Sequence, residues 1–377
     1  MNPDSTSKYP VGAHPDLPPP VRTKGLLAWI RINLFSTPLN TALTLLSFWL
    51  LWSIIPPFLD WAVIESIWNA SDRKECWSKM PGPREGACWA FITGSFEFFV
   101  YGWYPDTEKW RVNLSFILLI FAIVGVLKER LPGKKYWLWF AVAFPFLSAW
   151  LLVGGYGLEP VETSKLGGIS LTIIIGITGI SFSLPIGIVL ALGRRSNMPA
   201  LRSVCVIFIE FIRGVPLITL LFVASTMLTY FLPPGSTFDL LMRVLIMVTL
   251  FQSAYIAEII RGGLQGLPTG QYEAADSLGL NYWKAHRLII LPQALKISIP
   301  PIVNTFISLF KDTTLVLIIG MMDIVGLGRA RLNDPYWLGL AAELYLFIAI
   351  FFFICCFSMS RYSINLEKKL STGHGDL

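Results

Sequence analysis

Inside hydrocarbon there is no water to pair with the backbone, so a chain dominated by long apolar runs is committed to helices that satisfy their own N–H and C=O groups. Eight such runs follow one another here, at about 39–64, 114–127, 137–156, 169–192, 204–232, 240–260, 299–319 and 339–359. Most reach the roughly 20 residues that a helix needs to cross a bilayer. The expected fold class is therefore an all-α polytopic membrane protein with about eight transmembrane helices. Composition agrees: 54% of the 377 residues are hydrophobic and 14% are charged, and mean hydropathy is +0.61.

A net charge of +6 would suit nucleic acid if it were spread over one face. Instead the Lys and Arg residues gather at the ends of apolar runs, where they report membrane orientation. Arg22, Lys24 and Arg31 precede the first run; Lys128, Arg130, Lys134 and Lys135 follow the second; Arg194 and Arg195 follow the fourth; Arg361, Lys368 and Lys369 follow the last. These place both termini in the cytosol. The 65–112 loop, Glu159, Glu162 and the turn Pro233-Pro234-Gly235 fall outside, and only the 323–334 loop has an ambiguous charge balance. A multi-pass bacterial inner-membrane location is expected, with the bilayer as one partner and nucleic acid as none.

The chain divides into a cytosolic tail at 1–38 and an extension at 39–165, which holds three spans and a Trp-rich periplasmic loop at 65–112. A five-span core follows at 166–370, with a cytosolic segment at 262–298, and then a short tail at 371–377. Residues 1–21 carry six prolines and read as disordered; no cleavable signal peptide is seen. The loop aromatics Trp77, Trp89, Phe98, Phe99 and Trp103 read as lying on the membrane surface. Cys205, Cys355 and Cys356 read as small core residues. Cys76 and Cys88 share the periplasmic loop, where a disulfide is permitted but is not decided by spacing.

The segment 271–293, QYEAADSLGLNYWKAHRLIILPQ, is too polar for lipid and breaks into two short helices. Ala274 and Ala275 favour helix and admit a close neighbour, Gly279 makes the turn, Asn281 caps the second helix, and Pro292 helps to stop it. In the fifth and sixth runs Glu210 stands three residues before Arg213, and Glu258 three before Arg261. That spacing places each pair on one helical face, as ion pairs that neutralise themselves in low dielectric. Gly214 and Gly262 follow, loosening the helix or admitting close packing, and Pro216 bends the fifth span. In the seventh run Asn304, Ser308, Lys311 and Leu315 share a face, with Asp312 beside them. Ionisable groups at membrane depth are costly unless paired or hydrated, so this face reads either as the lining of a substrate cavity or as a sealed helix contact.

No glycine-rich phosphate loop ending in Lys-Ser/Thr occurs: Gly133-Lys134-Lys135 lacks both the upstream glycine and the hydroxyl. His14, His286 and His374 are far apart, so neither a metal site nor a catalytic triad is indicated. No catalytic residue, metal or cofactor is assigned to this chain.

The order Glu273-Ala274-Ala275, Gly279, Leu291-Pro292 resembles the coupling-loop signature of ABC importer permeases. Gln271 before it, and Gln293-Ala294-Leu295-Lys296 after it, are similar to the polar amino acid branch, and Tyr272 and Leu280 fall among the coupling residues that the loop implies. EFIRGVPL from Glu210, AYIAEIIRG from Ala254 and NTFISLFKDTTL from Asn304 are similar to the same branch, with Thr314 where serine is frequent; so is SLTIIIGITGISFSLPIGIVLALGRRS from Ser170. The three-span extension resembles the M-type permease of general L-amino acid importers.

The resemblance implies a non-catalytic subunit whose segment 271–293 seats in a separate ATP-binding subunit, which carries the ATP and Mg. It also implies two copies of that ATPase, a related permease chain as heterodimer partner, a periplasmic binding protein and amino acid substrates. The competing reading is an ion-coupled secondary amino acid transporter. Such carriers often show inverted repeats, and the Glu-Arg-Gly pair is the only echo of one.

Overall fold

The computed structural model describes residues 25–80, 82, 85–128, 131–231, 233 and 238–371. The 1–21 tail, Arg22, Lys24, Arg130, Pro234, Gly235, His14 and His374 lie outside them. The described residues are helical throughout, with isolated bridges such as Gly102 to Leu166 in place of strands. Seven helices are long and apolar enough to cross a membrane, and an eighth span is counted if one sharply bent pair is a single crossing. The all-α polytopic expectation is met.

One compact unit comprises residues up to Ile67 together with Trp77–Ala87. It holds α1 (Leu26–Leu34) and α2 (Pro38–Leu59), whose Thr37 cap accepts from the Asn40 amide at 3.1 Å. Pro56 and Pro57 lack amide donors, and the helix loosens into a π turn at Asp60–Ile64 directly after them.

The second unit, Trp68–Cys76 with Cys88–Leu377, contains the rest. The loop forms α3 (Arg73–Lys79, which runs into the first unit), α4 (Ala90–Gly94) and α5 (Phe96–Tyr101). Then come α6 (Lys109–Leu127), α7 (Lys134–Val153), α8 (Gly168–Arg194), α9 (Pro199–Gly214), α10 (Leu217–Phe222) and α11 (Leu228–Phe231). The chain continues through α12 (Leu240–Gln265), α13 (Thr269–Ser277), α14 (Tyr282–Ala285), α15 (Leu291–Asp312), α16 (Ile324–Leu332) and α17 (Ala341–Ser371).

At the centre α8 runs against α12, and bare glycine makes the approach close. A Cβ at Gly187 would fall 2.6 Å from the Ile256 side chain. Ala191, Ile209, Ile256, Ile260, Ile290 and Ala294 form one buried cluster joining α8, α9, α12 and α15. Burying side chains of this size stabilises by roughly 1.5–3 kcal/mol each in water, and by less where lipid is the alternative.

The bend expected at Pro216 is present, and two other expectations are corrected. In the fifth run α9 and the helices from Leu217 meet at 103°. Val215, ahead of Pro216, is forced into an extended conformation (φ −108°, ψ 132°). Pro292 does not stop a helix; the chain passes from α14 through a π turn at His286–Ile290 into α15, and the wider turn accommodates the missing amide. The Trp-rich loop is in large part folded against protein. Phe91 and Phe99 are fully buried, Trp89 is nearly so, and their rings stand 5.6 Å from Trp337 and 5.5 Å from Phe347 respectively for Phe91 and Phe99. Trp103 remains exposed, edge-on to Phe98 at 5.4 Å.

Cys76 and Cys88 are joined as a disulfide, Cα atoms 5.9 Å apart. The loop is held further by the Arg73 guanidinium donating to Leu338 O (2.7 Å), the Cys88 amide to the buried Glu343 carboxylate (3.0 Å), and Arg331 Nε to Ser95 Oγ (3.0 Å). Asp323 caps α16, accepting from the Gly326 amide at 2.9 Å, while its Oδ2 is buried with no partner among the described residues. Burial pushes that carboxyl up to about 6.

Candidate functional site

The α13–α14 segment is a hairpin whose two halves are stopped and restarted by local chemistry. Leu280 N–H reaches Ala275 O (3.2 Å) and Gly279 N–H reaches Asp276 O (2.9 Å), with Gly279 at φ +68°. This paired return closes the end of α13 on a left-handed residue, which glycine alone adopts without strain. Asn281 then accepts from the Lys284 amide at 2.9 Å and opens α14.

The root is tied to the bundle. Gln293 Nε2 donates to Gln271 Oε1 across the base (3.0 Å), and Tyr272 Oη donates to Leu264 O at the end of α12 (2.9 Å). Tyr272 and Leu291 pack on the cluster joining α8, α9, α12 and α15. Away from these ties the segment is bare: Leu278 is 72% exposed, Trp283 71% and Leu288 65%, and Glu273, Ala274, Gly279 and Pro292 are exposed too. Ala275 is buried within the hairpin and Leu280 half-buried, so of the two small residues only Ala274 is free to meet another surface. The exposed apolar residues were not singled out from sequence, because a leucine or tryptophan carries no local mark of exposure.

Near the root, the expected pairs are half realised. Glu258 pairs with Arg261 through Oε1. Glu210 pairs instead with Arg194 of α8, whose Nη1 lies 2.8 Å from Glu210 Oε1 and 3.3 Å from Glu258 Oε2. Arg213 turns to the Tyr255 ring, 5.7 Å from its centroid. Helical spacing finds neighbours within one helix, and Arg194 comes from another. Gly214 and Gly262 face open space; the close approach is made by Gly263, where a Cβ would collide with Ser298 Oγ and lie 2.7 Å from Ala294 O.

Asn304, Ser308 and Asp312, one turn apart on α15, line a cavity of about 290 Å³ together with Thr305 and with Phe251, Gln252 and Tyr255 of α12. Gln252 Nε2 is buried without a partner among the described residues. Lys311 is exposed and stands outside this lining, and Leu315 leaves the shared face because the chain tightens into a 3-10 stretch at Thr313–Ile319. A larger cavity of about 390 Å³ lies among α6, α7, α8 and α12. Its walls are nearly all apolar, and its one acid, Asp239, is engaged by Thr163 and the Met242 amide. It offers a zwitterion no cation.

Residues 183–372 match the family described as "Binding-protein-dependent transport system inner membrane component". The inner membrane amino-acid ABC transporter permease protein YhdY of Escherichia coli is 49% identical, with 96% of this chain and 97% of that protein aligned. The glutamate/glutamine/aspartate/asparagine transport system permease protein BztC of Rhodobacter capsulatus is 44% identical over 95% and 96%. A solved structure, "Crystal structure of an amino acid ABC transporter with histidines", is 30% identical and covers 53% of this chain and 90% of that one, with TM-score 0.47. With this match across the hairpin and the ion pairs, and near-complete coverage by a relative at almost half identity, the chain belongs to the binding-protein-dependent transport system inner membrane components, the multi-pass permeases of ABC transporters.

Proposed function

We propose that this permease moves amino acids, of broad L-range, from periplasm to cytosol, and that α13–α14 is the handle by which a separate ATP-binding subunit drives it. The observation that carries this is the division of the segment into a root fixed by Tyr272 and Gln293 and a remainder that leaves Leu278, Trp283 and Leu288 in the open. Large exposed apolar side chains grouped on a polar projection mark a protein contact. The amino acid class is supported by the printed names of the two relatives above, and the inward-facing hairpin and both cytosolic termini by the Lys and Arg asymmetry of the sequence.

The partners are two copies of the ATPase, holding ATP and Mg, a related permease chain and a periplasmic amino acid binding protein. Asn304, Ser308 and Asp312, facing Gln252 and Tyr255, form the polar stretch of the pathway in this chain. The carboxylate of Asp312, in that lining, suits the ammonium of an amino acid. ATP closing the ATPase pair moves the handle and, through it, α9, α12 and α15. Alternation then requires that substrate contacts differ between the two states.

Reconstitution in proteoliposomes tests the reading. Uptake requires the ATPase and ATP and ignores a protonophore at fixed ATP; uptake that needs an ion gradient and no ATPase would establish the ion-coupled carrier instead. Asp312→Asn impairs uptake with assembly intact, and normal transport by that variant removes Asp312 from the pathway.

A further inference from the structure

Two adjacent cations end α8, and they grip different things. Arg195 Nη1 donates to Tyr272 Oη at 3.3 Å, and its guanidinium lies 5.7 Å from the centroid of the same ring. That ring belongs to the hairpin and hydrogen-bonds onward to Leu264. Arg194 points into the bundle, within ion-pair distance of Glu210 on α9 and Glu258 on α12. Its Nη1 is buried and lacks the alignment of a hydrogen bond to either acid, so the attraction is coulombic and works on both carboxylates at once.

Successive side chains on a helix diverge by about 100°. Two arginines in a row at a helix end therefore reach different neighbours while sharing one turn. The turn is closed by the Arg195 and Ser196 amides on Leu192 O and Gly193 O, both at 3.1 Å. A push on Tyr272 is delivered to the same turn that holds the inner ends of α9 and α12.

We propose that Arg194 and Arg195 are positioning residues for coupling: Arg195 takes up the displacement of the hairpin at Tyr272, and Arg194 passes it to α9 and α12 through Glu210 and Glu258. This rests on the proposed role of the hairpin as an ATPase handle and adds the route by which the displacement leaves it. The hairpin is otherwise joined to the bundle through its continuation into α12 and α15 and through the apolar packing of Tyr272 on the cluster that includes Ala191 and Ile209, so Arg195 supplies the polar link to α8.

The test uses the full complex in proteoliposomes, with wild type, Arg195→Gln, Arg195→Lys, Arg194→Gln and Tyr272→Phe compared. The readouts are substrate taken up per ATP hydrolysed, the fraction of permease that co-purifies with the ATPase, and thermal stability. Loss of one charged hydrogen bond or ion pair in the transmission route lowers uptake per ATP about tenfold in Arg195→Gln and in Arg194→Gln. Tyr272→Phe, which keeps the ring and loses the hydroxyl, falls between Gln and wild type. Arg195→Lys recovers part of the ratio, since an ammonium reaches the hydroxyl but cannot lie flat on the ring.

A wild-type ratio in either Gln variant overturns the proposal, as does a fall that tracks loss of assembled complex in Gln and Lys variants alike, which would make the arginines structural. If wild type itself takes up substrate without ATP, the handle reading fails and this proposal fails with it. If wild type is ATP-coupled and only the variants keep their ratio, this proposal fails alone.

Discussion

Gly279 offers the cleanest perturbation of the hairpin. Its φ is +68°, and a Cβ built on it would meet nothing within 4 Å. Gly279→Ala therefore changes no packing and acts only through backbone conformation, where a Cβ in the left-handed region costs about 1–2 kcal/mol. The two amides that depend on this residue are those of Gly279 and Leu280, bonded to Asp276 O and Ala275 O. A local opening made easier by 1–2 kcal/mol is populated about 5–30-fold more. Hydrogen–deuterium exchange on a peptide spanning 274–281 should quicken by that factor, with α12 peptides unchanged. Gly279→Asn, which tolerates the left-handed region, should stay near wild type. Equal exchange in Ala and wild type, or Asn as fast as Ala, would refute the conformational account of this turn.

Three further outcomes follow from the packing. Gly263→Val forces α12 away from the Ala294 carbonyl, which cannot turn aside as a side chain can. It should cost about 1–3 kcal/mol, seen as a lowered Tm in detergent, whereas Gly262→Val, facing open space, should leave Tm near wild type. Asp323 has its carboxyl raised from 3.8 to about 6 by burial, so the folded state binds this proton more tightly than the unfolded state. Its contribution is present below about pH 4 and is lost as pH rises to about 6, a change of about 3 kcal/mol. Asp323→Asn keeps the cap and should flatten thermal stability across that window, and an unchanged slope would exclude Asp323 as its source. Cys88→Ser opens a 12-residue separation and should cost about 2–4 kcal/mol, measured by thermal unfolding with and without reductant, which should leave the variant unaffected.

Part of the hairpin was legible because its rules are local. Gly279 and Asn281 end and restart helices through bonds to residues within five positions, and such spacing is written along the chain. The break at Pro216 was legible as a bend but not as a 103° turn, since proline fixes where the helix fails and the neighbours fix where it goes. The loop aromatics were read as lying on the membrane surface because a Trp-rich loop suits an interface as well as it suits a core; Trp89 and Phe99 are buried, and Trp103 stays exposed.

What the sequence determined by itself was the helical, membrane-spanning class, the hairpin and its turn, because hydrocarbon forbids unpaired backbone and caps act over one turn. What only the tertiary structure decided was partnership between distant residues. Arg194 answers Glu210 in place of Arg213, Gly263 rather than Gly262 admits α15, and Cys76 meets Cys88. Coulombic and steric energies depend on separation in space, which chain spacing sets within one helix and leaves free between two.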